Sequence, residues 1–215
     1  MVMPMNKTKI SNIVVSVVIY GTLSFFIYLM ALITLQYIPI NFNAAFLVTK
    51  QEEIKFVHYQ IAFFTHVYSA IFVLFFGMFQ FSGFVRKRYS NIHRVLGKLY
   101  VGILLFLAAP SGFIIGWYGN GGISSVISFC ILAILWFYFT LIAYLSIRKG
   151  LYKKHEHYMI LSYALTLSVV SLRLFKMFIA NTLALPPMDT YRIVVWLGWV
   201  FNLAVALLII AYKEK

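Results

Sequence analysis

The chemistry available to this 215-residue chain is concentrated in five histidines, one arginine and one asparagine. His66, Arg173 and Asn202 fall inside long apolar runs, where an ionisable or amide group is costly unless it is paired or functional. His93, His155 and His157 stand where apolar runs meet basic segments, and His58 lies near an opposite end. Imidazole can ligate a metal or relay a proton. Haem iron takes two imidazoles on opposite faces within an apolar, aromatic slot. His93 and His155 sit at comparable depth on two helices and form the expected axial pair for haem b. His66 with Arg173 could make a second ligand site, for haem propionates, a quinone or a proton relay. The single cysteine, Cys130, excludes a disulfide framework and a cysteine-based zinc site, and no C-x-x-C-H element exists for covalent haem.

These residues are positioned by membrane-scale helices. The chain is 63% hydrophobic, 19% aromatic and only 11% charged, against roughly 25% charged in soluble domains. That excludes a water-soluble enzyme and a disordered chain. Six apolar stretches approach or exceed the roughly 20 residues of a spanning helix: 12–37, 56–85, 95–117, 123–147, 158–180 and 193–212. The expectation is an all-α, six-helix transmembrane bundle forming a single domain over 1–215. The first run is too long for a signal peptide and lacks a small-x-small cleavage pattern. No internal repeat is evident. Thirteen of the eighteen basic residues fall at one end of the spans and three at the other, where Glu52 and Glu53 offset Lys50 and Lys55. The positive-inside rule then puts both termini in the cytoplasm.

Depth follows from the helical rise. His66 and Asn202 each lie roughly 13 Å inside the outer ends of their spans, and Arg173 roughly 10 Å. These three form one outer layer, while His93 and His155 form an inner one. The separation implies two sites, or one site and a conduit. His93, Gly97 and Tyr100 share a helix stripe; Gly97 would leave room for a flat ligand, or for close helix packing. Pro110-Ser111-Gly112 should kink the third span. Arg173 has no acid in its layer, because Glu52, Glu53 and Asp189 are outside and Glu156 inside.

The stretch His93-Arg94-Val95-Leu96-Gly97-Lys98-Leu99-Tyr100 resembles the HR-x-x-G-x-x-Y signature of a bacterial multi-pass family, domain of unknown function number 2306. The segment from His155 to Leu165 is similar to that family's H-x-x-W-M-x-R-S-Y-A-L element. Leu172-Arg173-Leu174 and Trp196 to Leu203 resemble its later elements. Tyr158 stands where the family has Trp, and Leu161 where it has Arg. The resemblance implies a bacterial cytoplasmic-membrane protein and no settled activity.

Two functions are consistent with this pattern. One is a haem-binding, b-type cytochrome-like redox or respiratory-assembly protein, which would make the chain a membrane oxidoreductase or an assembly factor. The other is a small-anion or proton transporter lined by His66, Arg173 and Asn202. A three-histidine metalloenzyme is disfavoured by depth. The expected partners are the lipid bilayer and a membrane redox protein. Nucleic acid is not expected, since the basic loops sit beside anionic lipid. Neither a catalytic residue nor an oligomeric state is legible.

Overall fold

A computed structural model of the chain describes residues 7–215, with side chains from Val14 onward. The side chains of Lys7 and Lys9, which enter the charge count, lie outside the described residues. All regular structure among the described residues is helical. Five helical segments are long and apolar enough to cross a membrane: α1 (Lys7–Leu35), α2 (Val57–Gln80), the run Ser90–Trp117, α6 (Ile123–Arg148) and α9 (Pro187–Lys213). Two shorter helices, α7 (Tyr152–Thr166) and α8 (Ser168–Leu183), meet at a 42° bend and pass the same test together. The pair is a sixth crossing if it counts as one span.

Local chemistry explains where these elements depart from the expected spans. The stretch 56–85 does not form one helix: α2 stops at Gln80, and a short α3 (Gly83–Arg88) follows. Ser82 caps α3 by accepting the Val85 N–H at 3.2 Å, satisfying one of the orphan amides of a helix start. The third span begins earlier than 95, because α4 (Ser90–Ile103) already includes His93 and Arg94. Around Pro110 there is a wide π-helical turn, Leu104–Ala108, just before α5 (Ala109–Trp117). Proline lacks the N–H that a regular ladder needs, and π-helical turns recur at such interruptions and at functional sites. The fifth span, expected to run unbroken over 158–180, starts at Tyr152 and breaks at Leu167. The sixth begins at Pro187 rather than 193, since proline tolerates the first helical position.

The bundle centre is built by α2, α4–α5, α6 and α7. Helix α2 packs along α4 and α5, and α6 along α7 and α5, so that α4 and α7 oppose each other across the middle. Helices α8 and α9 pack together at one side, and α1 rests chiefly on α2. From Val14 to Leu35, α1 is largely apolar and exposed, as expected of a helix whose surroundings are hydrocarbon. Gly77 on α2 lets the bundle close: a Cβ there would overlap the Tyr163 ring and press on Tyr100. Replacing Gly77 with alanine should therefore lower stability by about 1–3 kcal/mol, the usual cost of overpacking. Gly102→Ala, where a Cβ meets nothing, should leave it unchanged or slightly higher. Thermal melts of the two variants in detergent check this contrast.

Candidate functional site

Basic residues from the α3 region, the α6–α7 connection and the end of α9 gather at one end of the bundle, called here the basic end. His93 and His155 are both there. They are separated in sequence by the same 62 residues as Tyr100 and Ser162, which are hydrogen-bonded across the bundle at 2.7 Å. Each histidine lies seven residues, or two turns, before its member of that bonded pair. The parallel course of α4 and α7 thus places the two imidazoles at one level, roughly 10 Å nearer the basic end.

His155 Nδ1 is 2.9 Å from the Ala143 carbonyl. A carbonyl can only accept, so Nδ1 carries the proton and Nε2 keeps its lone pair in the neutral ring. Such a backbone contact is the usual support of a ligating histidine. His93 Nδ1 is buried and has no hydrogen-bond partner among the described residues. Arg86, Arg94 and His155 lie within charge–charge range of the His93 ring. The space beside Gly97 is taken by the Gln80 side chain, whose Oε1 would lie 3.0 Å from a Cβ there. Gly97 therefore serves packing against α2, and a flat ligand has no slot at that glycine.

Between the two ends runs a polar network that sequence reasoning missed. Tyr100, fully buried, bonds Ser162 and also Thr166 at 3.0 Å. Trp136 Nε1 donates to Thr166 Oγ1 at 3.0 Å, and Thr140 Oγ1 bonds Ser162 Oγ at 2.6 Å. The available signal was two polar or amphipathic pairs at i, i+4 within apolar helices, Trp136/Thr140 and Ser162/Thr166. Tyr100, a cofactor-binding candidate on the His93 stripe, ties α4 to α7 through these bonds.

At the opposite end lies a cavity of about 240 Å³ lined by His66, Arg173 and Lys50 together with Trp136, Trp199, Tyr59 and Tyr191. His66 Nδ1 donates to the Ala108 carbonyl, the last of the π-helical turn, at 2.8 Å. Its Nε2 is then the acceptor. Gly112 makes room for the ring, since a Cβ there would lie 2.9 Å from His66 Cε1. The His66 and Trp136 rings meet edge-on, with centroids 6.5 Å apart, so the central network reaches this cavity. Arg173 is exposed at the rim, and one of its guanidinium nitrogens donates to the Val169 carbonyl of its own helix at 2.9 Å. Among the described residues no carboxylate pairs with it.

Lys50 was not a candidate from sequence, and nothing in a surface-loop Lys-x-x-Glu distinguishes a buried lysine from a solvated one. The structure buries it: the residue is 2% exposed. Its Nζ donates to Glu53 Oε1 at 2.8 Å and to the Tyr118 carbonyl. The segment between α1 and α2 is thereby latched onto the end of α5. Lys55 pairs with Glu52 at 2.7 Å.

Asn202 does not join His66 and Arg173. It donates to the Ala164 carbonyl at 3.0 Å and accepts from Ser171 Oγ at 2.8 Å, bridging the α7–α8 bend. It lines a second, mostly apolar cavity between α1, α7 and α9. His58 bonds the Tyr118 hydroxyl at 2.6 Å, and His157 lies 3.7 Å from Glu214. No group of three metal-binding side chains exists among the described residues.

The sequence model of a family described as "Predicted membrane protein", domain of unknown function 2306, matches residues 63–210. That is well over half of the chain, and the chain belongs to this family. No curated protein and no solved structure matches it.

The latch should respond to acid. Partial burial works against the charge on Glu53, but the hydrogen bond from Lys50, the backbone amide and the Lys50 charge outweigh it and hold the carboxyl below its ordinary 4.5. A depressed folded-state value gives stability that is present above pH 4.5 and lost as pH falls through the lower, folded value. Thermal melts across pH 3 to 6 should show this loss in the wild type. In Glu53→Gln that component should be absent, with a lower melting temperature at pH 6.

Proposed function

We propose that this member of the family is a membrane haem b protein whose axial ligands are His93 and His155. The observation that carries the reading is the pair itself. Two imidazoles stand at one level on opposed helices, one oriented by the Ala143 carbonyl, the other with a buried nitrogen lacking a partner. A haem held there would supply one-electron transfer, with a potential tuned by ligand and burial. His155 would bind through Nε2, because Nδ1–H is committed to the backbone. Arg86 and Arg94, within charge range of His93, would meet the propionates. Tyr100, Ser162 and Thr166 would hold the two ligand-bearing helices in register.

The same reading takes α7 and α8 as one bent span, giving six crossings in a bacterial cytoplasmic membrane. It places the basic end, and both termini, in the cytoplasm, supported by the excess of Lys and Arg there. A membrane redox partner would then exchange electrons at that face. Transport along His66, Arg173 and Asn202 is less well supported, because Asn202 lines a different cavity and bonds both sides of the α7–α8 bend.

Visible spectra of the detergent-purified protein test the proposal. The wild type should show a sharp Soret band that shifts on dithionite reduction. His93→Ala and His155→Ala should each lose most of it, while His66→Ala keeps it. Melting curves for each variant establish that it is folded. A colourless, folded wild type from haem-sufficient cells overturns the reading, as does a spectrum unchanged in both inner-site variants.

A further inference from the structure

The cavity at the end away from His93 and His155 has a composition that the haem reading does not use. Its walls are apolar and aromatic, with Phe63, Trp136 and Trp199 among them. Four of its polar groups come from three separate parts of the chain: Lys50 before α2, Tyr59 and His66 on α2, and Arg173 on α8. Lys50 is already neutralised by Glu53. Arg173 is not: among the described residues its only hydrogen bond is to the Val169 carbonyl of its own helix. An arginine at membrane depth is retained where it meets an anion or a polar cavity. The Tyr59 hydroxyl makes no hydrogen bond among the described residues although the residue is 1% exposed, so a second donor is available. His66 is fixed by Ala108 with Nε2 as an acceptor.

From these groups we infer that the cavity is a binding site for a small monocarboxylate with a planar, apolar body. The guanidinium of Arg173 takes the carboxylate in a charge-assisted pair. The Tyr59 hydroxyl supplies a further donor, and the body lies among the aromatic walls. A proton-bearing substituent on the ligand would find the lone pair of His66 Nε2. The volume, about 240 Å³, is just below the roughly 300–1,000 Å³ of sites for drug-sized ligands, which limits the occupant to about the size of one substituted ring. Arginine suits this task better than lysine, because its fork matches a carboxylate in two parallel hydrogen bonds.

Calorimetric titration of the intact, detergent-purified protein with benzoate, benzamide and hexanoate tests this. Benzoate should bind saturably, with benzamide weaker by about ten-fold or more, since one charged hydrogen bond of about 1.5–3 kcal/mol corresponds to at least that factor; hexanoate, which keeps the carboxylate but lacks the flat ring, should also bind more weakly. Arg173→Gln should weaken benzoate by a similar factor, Arg173→Lys by less, and Tyr59→Phe modestly, with melting curves showing that each variant folds. Benzamide binding as tightly as benzoate, or benzoate unaffected by Arg173→Gln, overturns the carboxylate assignment. Hexanoate equal to benzoate overturns the planar body, and no heat with benzoate overturns the site. The titration is independent of haem, so repeating it on His93→Ala separates a failure here from a failure of the haem proposal.

Discussion

One hydroxyl sets the geometry of the bundle. Tyr100 reaches from α4 across to α7 and shares hydrogen bonds with Ser162 and Thr166 in the fully buried middle of the bundle. Helices in a membrane gain little from hydrophobic contact with one another, so packing and interhelical hydrogen bonds decide register. Moving α7 out of this register would part the Tyr100 hydroxyl and the Trp136 indole from Ser162 and Thr166. Each would then be an unsatisfied polar group in a low-dielectric interior. The register held in this way brings His93 level with His155. It also places Trp136 where its ring touches His66.

The interruptions in the helices matter as much as their continuity. The π-helical turn before Pro110 presents the Ala108 carbonyl to His66, and the absent side chain of Gly112 leaves space for the imidazole. The bend at Leu167 is stapled by Asn202, which joins carbonyl and hydroxyl groups on either side of it. Beyond the bend, Gly198 lets α9 approach the backbone of Leu172 closely; a Cβ there would lie 3.1 Å from its Cα. Arg173 follows directly and is thereby carried to the cavity rim. Straight helices would supply neither the carbonyl for His66 nor this placement of Arg173.

Much of this was legible in the residues because the membrane is a demanding solvent. Apolar length gave the helical spans, the rarity of ionisable groups within them singled out His66 and Arg173, and matching depth at the span edges paired His93 with His155. What the sequence hid were relations between helices. Gly97 looked like an opening, but Gln80, from the far end of α2, fills it. Asn202 matched His66 in depth, yet depth along a helix says nothing about which face it presents or which cavity that face lines. Lys50 reads as one more loop cation until the fold brings the Tyr118 carbonyl and Glu53 to it. Tyr100 was visible as a stripe-mate of His93, but its partners lie more than sixty residues away, beyond any local periodicity.

The proposed haem site has a definite stoichiometry: one haem held by one pair of imidazoles in each chain. Native mass spectrometry of the detergent-solubilised protein measures this directly. The 24.8 kDa chain should carry the added mass of a single non-covalent haem, released on collisional activation and absent when His93 and His155 are both replaced. A wild-type chain that flies at its bare polypeptide mass under conditions that preserve its fold would contradict it, as would a haem that survives the double replacement.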